Sequence, residues 1–223
     1  MKNKIKVALI GYGKMGKEID TLCRDSEIFE VVSISLKKKG DKLDLKGISK
    51  SDVAMDFTSK DVVLKNIEEV AKLGKDIVLG TTGWYGQMDK VKKITDKYKI
   101  GIIYGTFSIG VNIFLKISAF ASELFSKFPE YDVYGLEVHH KAKLDSPSGT
   151  ALKIAGKVKG LNFTSIRAGR NPGFHEVVFD STADGITLSH QAYNRTGFAK
   201  GALLAAEFIK NKKGFYSFED VIK

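Results

Sequence analysis

Apolar and polar residues alternate in short blocks through the first half of the chain, and these blocks predict strands and helices in turn. Short apolar or β-branched runs predict five strands, at Lys6–Ile10, Phe29–Ser35, Asp52–Phe57, Asp76–Leu79 and Ile100–Tyr104. Helical spacing of apolar residues predicts helices between them, at Lys14–Asp25, Asp61–Leu73 and Met88–Tyr98. A regular alternation of strand and helix predicts a parallel sheet with right-handed crossovers.

The pattern changes after Gly105. Broad apolar stripes predict a long helix over Asn112–Phe128 and a last helix over Thr196–Lys210. The elements predicted between them are a short helix at Ser148–Lys159 and strands at Asp132–His139, Phe163–Arg167, Glu176–Asp180 and Ile186–Tyr193. We therefore expect an α/β domain from residues 1–108 and 196–223, and a smaller α+β domain from 109–195 whose sheet is mixed and mostly antiparallel.

Composition narrows the class of protein. The 223 residues are 43% hydrophobic and 28% charged, which predicts a folded core. One cysteine, Cys23, excludes a disulfide framework and a cysteine-based zinc site. No apolar run approaches the roughly 20 residues of a membrane span, and no signal peptide is visible, so we expect a cytoplasmic protein without a membrane partner.

The net charge of +10 raises the question of nucleic acid. Only four of the 36 basic residues are arginine, the residue that reads base edges best, and the lysines are spread along the chain. We therefore expect no nucleic-acid partner, and attraction of an anionic cofactor or substrate instead.

A glycine loop follows the first predicted strand, with the sequence Gly11-Tyr12-Gly13-Lys14-Met15-Gly16. It matches G-x-G-x-x-G and opens a predicted helix, which is the context of a Rossmann-type dinucleotide site. Gly11 would allow the tight turn, Gly13 the approach of a pyrophosphate, and Gly16 close packing of helix on strand. The alternative is a glycine turn that binds no ligand.

The second predicted strand ends in Ser35-Leu36-Lys37-Lys38-Lys39, without the acid that usually binds the ribose 2′-OH of NAD. The hydroxyl of Ser35 and the lysines suit a 2′-phosphate better than a bare ribose. We therefore expect NADPH or NADH as cofactor, with a modest NADPH preference. An ordinary solvated lysine loop is the alternative.

The most informative run is EVHHKAKLDSPSGTAL, Glu137–Leu152. The histidines His139–His140 end a strand and point to opposite faces, so they are not expected to bind one metal together. Lys143 is a cation that can also donate a proton. Ser148 is expected to cap a helix whose N–H groups at Gly149–Ala151 are free to bind a carboxylate. Together these features suit a small dianionic substrate, although each alone is more often structural.

Together with GYGKMG at 11–16, MDFTS at 55–59, GTTGW at 80–84, FSIGVN at 107–112 and HQAYNRTGFAKGAL at 190–203, this run resembles the dihydrodipicolinate reductase family of lysine and diaminopimelate biosynthesis. The resemblance covers nearly the whole chain. It implies a Rossmann domain and a substrate-binding and oligomerisation domain, assembled as a homotetramer. It also implies reduction of 4-hydroxy-tetrahydrodipicolinate by NADPH or NADH, with hydride transfer to C4 and protonation at C3.

The resemblance also implies roles for particular residues, and no metal. Proton transfer is expected of His139 and Lys143. Substrate binding is expected of His140, Lys143, Ser148, Gly149, Thr150 and Arg195. Cofactor contacts are expected of Gly11, Tyr12, Gly13, Lys14, Met15, Gly16, Ser35, Lys37, Phe57, Gly80, Thr81, Thr82, Gly105, Thr106 and Phe107.

The chain is shorter than typical family members, chiefly between the second and third strands and in the substrate domain. Its glycine loop is also one residue shorter than in many members. Gly105-Thr106 also differs from the usual residues before FSIGVN, which puts contacts there in doubt. One rival is a different Rossmann oxidoreductase acting on an amino acid, which has no need of the Glu137–Leu152 run. The other is a non-enzymatic nucleotide-sensing or DNA-binding protein, which would need a DNA-reading module that the sequence does not indicate.

Overall fold

A computed structural model describes residues 3–36 and 40–222. The chain forms two compact units, one of residues up to Ser108 together with those from Thr196 onward, and one of Ile109–Arg195. Within the described ranges, no helix combines the length and the hydropathy needed to cross a membrane. That the first unit binds the cofactor and the second binds substrate and assembles the oligomer remains a prediction.

The described ranges contain alternating and then mixed elements. The strands are β1 (Ile5–Ile10), β2 (Phe29–Ser35), β3 (Val53–Asp56), β4 (Asp76–Leu79), β5 (Gly101–Tyr104), β6 (Asp132–His139), β7 (Phe163–Arg167), β8 (Phe174–Asp180), β9 (Gly185–Gln191) and β10 (Gly214–Ser217). The α-helices are α1 (Lys14–Arg24), α2 (Leu45–Ile48), α3 (Val63–Lys72), α4 (Met88–Tyr98), α5 (Ile109–Phe125), α6 (Gly149–Ala155) and α7 (Thr196–Ile209).

The first unit is built on a parallel sheet in the order β10-β5-β4-β3-β1-β2. Its strands are apolar on both faces because helices cover both. Ala8, Ile77 and Ile102 join the core formed with α3 and α4, and α7 packs on α1 and on β4. Burial on both faces is typical of parallel sheets, so the expected Rossmann-type α/β fold is confirmed.

The second unit has a sheet in the order β7-β6-β8-β9. β6 pairs in parallel with β7, whereas the β6–β8 and β8–β9 pairings are antiparallel, which confirms a mixed and mostly antiparallel sheet. One face packs against α5 and α6, where Phe114 and Ile154 meet Val177. The register places Tyr134, Leu136, Val138, Ile166 and Phe174 on the opposite side, which we call the open face.

The sequence misplaced several ends and missed one strand. α5 begins at Ile109, because Gly110 allows its first turn to approach β9; a Cβ there would lie 2.9 Å from His190 Nε2. α5 ends at Phe125, short of Phe128, which precedes a proline and is disfavoured in a helix. α6 ends at Ala155, where Gly156 caps it. No apolar pattern predicts β10, which pairs with the edge of β5.

Candidate active site

The glycine loop joins β1 to α1, and glycine is suited to each of its three positions for a different physical reason. Gly11 has φ +92°, and a Cβ on it would lie 2.8 Å from the carbonyl carbon of Phe57. A Cβ on Gly16 would lie 3.2 Å from the carbonyl carbon of Gly11 and closer still to its oxygen. A Cβ on Gly13 would meet open space. The loop therefore leaves the start of α1 accessible at Gly13, as a pyrophosphate requires.

A crevice of about 400 Å³ opens beside this loop, at the carboxyl ends of β1, β2 and β3. Its lining includes Gly11, Tyr12, Gly13, Leu36, Asp41 and Phe57. A neighbouring cavity of about 350 Å³ shares Leu36 and Asp41 and adds the apolar side chains of Leu43 and Leu45. The carboxyl ends of parallel strands are the usual ligand position in such folds, so the crevice is the candidate cofactor site.

β2 ends without an acid, as the sequence indicated, but Asp41, further along the chain, lines both cavities. The sequence did not point to Asp41, because it lies six residues beyond Ser35 and not at the end of the strand, where the ribose-binding acid is expected. The predicted cofactor residue Lys37 lies outside the described residues.

The side chain of Ser35 is held inside the protein. Its side chain is buried, and its hydroxyl accepts a hydrogen bond of 3.0 Å from the Asp44 N–H. It therefore holds the segment after β2 and does not face the crevice.

A buried carboxylate, Asp56, ends β3 beneath the crevice. Its Oδ1 accepts hydrogen bonds from the hydroxyls of Thr58 and Thr81, both at 2.7 Å, and its Oδ2 accepts one of 2.8 Å from Asn66. Burial raises the pKa of Asp56, although these hydrogen bonds oppose the rise. Asp56 joins the turns after β3 and β4, so the side chain of predicted cofactor residue Thr81 points into the protein.

The remaining cofactor candidates are exposed or half-buried. Lys14 and Thr82 are exposed, and Met15, Gly105 and Thr106 are half-buried. The side chain of Tyr12 lies against α1, and its hydroxyl donates a hydrogen bond of 2.6 Å to Asp20 in the middle of that helix.

Aromatic packing brings two predicted loops of the first unit together. A Cβ on Gly80 would collide with the Phe57 ring, and the Phe57 and Phe107 ring centroids lie 6.2 Å apart. Phe107 is buried and also packs on Phe218 at 5.1 Å. The ring of Phe107 therefore packs between Phe57 and Phe218, and its expected role as a cofactor contact stays a prediction.

The second unit gathers its chemistry around Glu137, which is fully buried on the helix-covered face of β6. Its Oε1 accepts hydrogen bonds from the Ser148 N–H at 2.9 Å, the Ser165 hydroxyl at 2.7 Å and Arg167 Nη2 at 2.7 Å. Burial opposes its charge, but hydrogen bonding from the Ser148 hydroxyl, from Ser165, Arg167 and the Ser148 N–H outweighs burial and lowers the pKa of Glu137 to about 2. Glu137 is therefore an ionised carboxylate at neutral pH.

Two histidines face the other oxygen of this carboxylate. His139 Nδ1 lies 3.2 Å from Glu137 Oε2, and His175 Nε2 lies 3.6 Å from the same atom. Burial lowers the pKa of His139, although Glu137 acts against it. Burial, reinforced by His139, lowers the pKa of His175 to about 4. Both imidazoles are therefore neutral at pH 7.

Glu137, His139 and His175 each offer a ligand atom within 4.8 Å of the others, so the three could surround a cation. The guanidinium of Arg167 already binds the carboxylate at 2.7 Å. A second positive charge there would be repelled at close range in a buried site. The chemistry of the group therefore fits a hydrogen-bonded network better than a metal centre.

Lys143 and its neighbours form the turn before α6. Lys143 Nζ pairs with Asp145 Oδ1 at 2.7 Å, and Asp145 Oδ2 accepts the Gly149 N–H at 3.3 Å. The Ala151 N–H donates to Ser148 Oγ at 3.1 Å. The expectation of free N–H groups at Gly149–Ala151 is therefore wrong for Gly149 and Ala151, and Thr150 N–H alone has no partner among the described residues.

Other predicted substrate residues are arranged unequally around this turn. His140 is half-buried at the end of β6, and its N–H donates to the Asn171 carbonyl at 2.8 Å. Ser148 is buried, and its hydroxyl also lies 3.1 Å from His175 Nε2, so its side chain holds the start of α6. Arg195 is exposed at the last position of the second unit.

Sequence reasoning missed Glu137, Arg167 and His175 as members of this site. Arg167 Nη2 also donates to the Asp145 carbonyl at 2.7 Å, so it fixes the turn that carries Lys143. One signal was available, because Glu137 and His139 are two residues apart on a strand and must share a face.

Comparison with known proteins assigns the whole chain to one family. The model described as "Dihydrodipicolinate reductase, N-terminus" matches residues 5–106, and "Dihydrodipicolinate reductase, C-terminus" matches residues 110–222. A 4-hydroxy-tetrahydrodipicolinate reductase from Christiangramia forsetii is 34% identical over 236 aligned positions, with 98% of each chain covered. One from Buchnera aphidicola is 33% identical over 273 positions, covering 100% of this chain and 98% of that protein.

A solved structure of dipicolinate-bound dihydrodipicolinate reductase from Paenisporosarcina sp. TG-14 is 26% identical, with a TM-score of 0.80. It matches 98% of this chain and 99% of that one. Since both halves of the sequence match one family and its members align with the chain from end to end, the chain belongs to the dihydrodipicolinate reductase family.

Proposed function

We propose that this chain reduces 4-hydroxy-tetrahydrodipicolinate to tetrahydrodipicolinate with NADPH or NADH, as the names of its relatives indicate for them. The observation that carries the proposal is the second-unit site, where His139 and the Lys143 turn are held by one buried carboxylate. An amino-acid dehydrogenase on the same fold would have no need of this arrangement.

The first unit supplies the cofactor half of the proposed reaction. The pyrophosphate would bind the open N–H groups at Gly13, while the adenosine would occupy the cavities between Leu36 and Leu45. The turn with Gly80 and Thr82 would hold the nicotinamide side, supported by Asp56. When bound, the reduced cofactor supplies the hydride.

The second unit supplies the substrate half. His140, Lys143, Gly149 and Thr150 would bind the two carboxylates, and Arg195 would add a further cation. The carboxylate of Asp145 supports this placement as a stand-in, because it bridges Lys143 and the Gly149 N–H, where a substrate carboxylate would have to replace it. Fixed cationic and N–H partners orient the ring for reaction.

Proton transfer would complete the reaction. Hydride arrives at C4 of the ring, negative charge develops toward C3 and the ring nitrogen, and C3 takes a proton. Lys143 is the proposed donor, because its ammonium lies on the turn that would hold the substrate carboxylate. His139 would stabilise the developing charge or pass on the proton.

We further propose a modest preference for NADPH, carried by Lys37 and Lys38. The carboxylate of Asp41 opposes this preference, because it would repel a 2′-phosphate while accepting a ribose hydroxyl. Comparing kcat/KM for the two cofactors in wild type, Asp41→Asn and the Lys37→Ala, Lys38→Ala double variant separates these influences. An unchanged ratio in the double variant would remove the lysines from the account.

We also propose a homotetramer assembled in the cytoplasm. The open face supports self-association, because Tyr134 and Ile166 expose 49% and 41% of their surface beside half-buried Leu136 and Val138. Light scattering of the wild type and of Ile166→Lys would test it. Loss of the assembly only in the variant is expected, whereas a monomeric wild type would refute the proposal.

Oxidation of NADPH and NADH by the purified protein tests the proposed reaction directly. We expect oxidation that depends on fresh dihydrodipicolinate and competitive inhibition by dipicolinate against that substrate. Glu123→Gln changes an exposed residue on α5 and serves as the control for effects of expression and purification. Absence of turnover by a folded wild type that binds the cofactor would refute the proposal.

A further inference from the structure

We propose that Glu137 is a positioning residue that holds His139 as the Nδ1–H tautomer, so that Nε2 is the ring nitrogen presented to the reacting substrate. The inference deepens the proposed function and rests on it for the role of His139. The tautomer itself can be measured without any activity.

The two oxygens of Glu137 perform different tasks. Oε1 is fully engaged, because it accepts hydrogen bonds from Ser148, Ser165 and Arg167. Oε2 is buried without a hydrogen bond among the described residues, and His139 Nδ1 lies 3.2 Å from it. That nitrogen is also buried without another partner. Oε2 is therefore the acceptor closest at hand for His139 Nδ1, while His175 Nε2 lies further from the same oxygen, at 3.6 Å, and also contacts Ser148 Oγ.

Only one tautomer satisfies the pair. A proton on Nδ1 would lie beside an anionic oxygen 3.2 Å from the nitrogen, and a small rotation of the ring would turn this contact into a charge-assisted hydrogen bond. A proton on Nε2 would instead place the Nδ1 lone pair 3.2 Å from the lone pairs of Oε2, and a buried unsatisfied carboxylate oxygen costs more than a neutral group. Because the imidazole of His139 is neutral near pH 7, Glu137 decides which nitrogen carries the proton.

The other side of the ring is kept clear. A Cβ at position 173 would lie 3.1 Å from His139 Nε2, so Gly173 prevents a side chain from covering this nitrogen. Gly173 has φ +155°, at the edge of the region that favours glycine. Nε2 is therefore the nitrogen that can accept or pass on a proton at the substrate.

The same carboxylate also orders the turn that carries Lys143. Arg167 Nη2 bridges Glu137 Oε1 and the Asp145 carbonyl, both at 2.7 Å. Ser148, at the start of α6, donates its N–H to the same Oε1. Glu137 therefore connects the position of His139 to the position of Lys143 across three segments of chain.

Glu137→Gln reverses the hydrogen-bonding demand on His139 with almost no change of shape. The glutamine oxygen must stay at the position of Oε1, where three donors meet it, so its amide NH₂ faces Nδ1. A donor at that place requires Nδ1 to accept, which moves the proton to Nε2. We expect His139 to change tautomer and kcat to fall by roughly 10–10³-fold, while the dissociation constant of dipicolinate stays close to that of the wild type.

Nitrogen chemical shifts of ¹⁵N-labelled histidines report the tautomer directly, with His139→Asn assigning the resonance. Glu137→Asp keeps the carboxylate and should retain the wild-type tautomer and part of kcat. Ser165→Ala removes one donor to Oε1 and should also retain the tautomer. Glu123→Gln makes the same chemical change on the exposed surface of α5 and should leave both readouts unchanged.

The pH profile is a further readout that a merely structural role would not move. His139 is faced by Glu137 on its own strand, Arg167 on β7, His175 on β8, and Lys143 and Asp145 on the turn. Loss of the Glu137 charge removes a group that raises the pKa of His139. The acidic limb of the kcat profile should therefore move to lower pH in Glu137→Gln.

Three results would overturn the proposal: a wild-type His139 protonated on Nε2, a folded Glu137→Gln with unchanged kcat, or stoichiometric bound metal whose removal abolishes activity. The first needs only the wild type, so the proposal stays testable even when Glu137→Gln does not fold. A wild type without turnover but with the Nδ1–H tautomer would refute the proposed function and leave the positioning by Glu137 intact.

Discussion

Alanine substitution at Gly16 should lower stability, whereas alanine substitution at Gly13 should weaken cofactor binding. The two glycines are only three residues apart in one loop. A Cβ on Gly16 would stand 3.2 Å from the Gly11 carbonyl carbon and closer to its oxygen, both rigid backbone atoms. Overpacking of this kind costs about 1–3 kcal/mol. In a chain of this size that lowers Tm by about 2–12 °C.

Gly13→Ala should leave the fold nearly unchanged. The new Cβ meets no atom within 4 Å, and φ at Gly13 is −77°, which alanine adopts without strain. The gain from a less flexible unfolded chain, about 0.4–1 kcal/mol, is offset because alanine caps a helix less well than glycine. The same Cβ would stand where the pyrophosphate approaches, so Kd for NADPH should rise at least about tenfold, or about 1.4 kcal/mol.

Thermal unfolding and calorimetric titration with NADPH measure the two effects separately. Gly86→Ala is a matched control, since its Cβ also meets open space but lies outside the glycine loop. Its Tm and Kd should both match the wild type. An unchanged Kd in Gly13→Ala would show that the pyrophosphate binds elsewhere, and an unchanged Tm in Gly16→Ala would contradict the close approach of α1 to β1.

Three further predictions concern the second unit and the cofactor crevice. Lys143→Ala should lower kcat by roughly 10²–10⁴-fold with Kd for NADPH unchanged, as steady-state kinetics and titration would show. The free energy of unfolding should fall as pH drops from 6.5 toward 4, because the pKa of folded His175 is about 4 and only the unfolded chain gains its proton there. The free energy of unfolding should fall again from pH 4.5 toward 2, because folded Glu137, with a pKa of about 2, is protonated only at lower pH than in the unfolded chain. Urea melts of the wild type and of His175→Asn test both pH ranges. An equal pH dependence between 6.5 and 4 in His175→Asn would remove His175 as the cause. Asp41→Asn should shift kcat/KM in favour of NADPH over NADH, and a shift toward NADH would contradict the placement of Asp41 beside the ribose.

Local signals in the sequence were sufficient for the framework. The buried runs, the helical stripes and the turn residues predicted both sheets, because strand and helix periods are properties of consecutive residues. The glycine loop was predictable for the same reason, since the reasons for Gly11, Gly13 and Gly16 all arise within one strand–turn–helix unit. Ser148 was likewise recognised as a helix cap from its neighbours alone.

The sequence was less informative where a local signal had a distant partner. The N–H groups at the start of α6 looked free because the sequence does not show that Asp145 folds back onto Gly149. Ser35 looked like a cofactor contact from its place at the end of a strand. Its burial could not be read from the sequence, because it comes from the later segment that ends at Asp44. β10 carries no pattern of its own, and its strand conformation comes from pairing with β5.

The sequence by itself therefore determined the order of elements, the glycine loop and the run that carries His139 and Lys143. Only the tertiary structure decided that Glu137 meets Arg167 and His175, which lie 30 and 38 residues further along the chain. The period of a strand says which face a side chain takes, but not which strand lies beside it or in what register. That choice is made by the pairing of β6 with β7 and β8, and it turns four ordinary residues into one buried network around the candidate catalytic histidine.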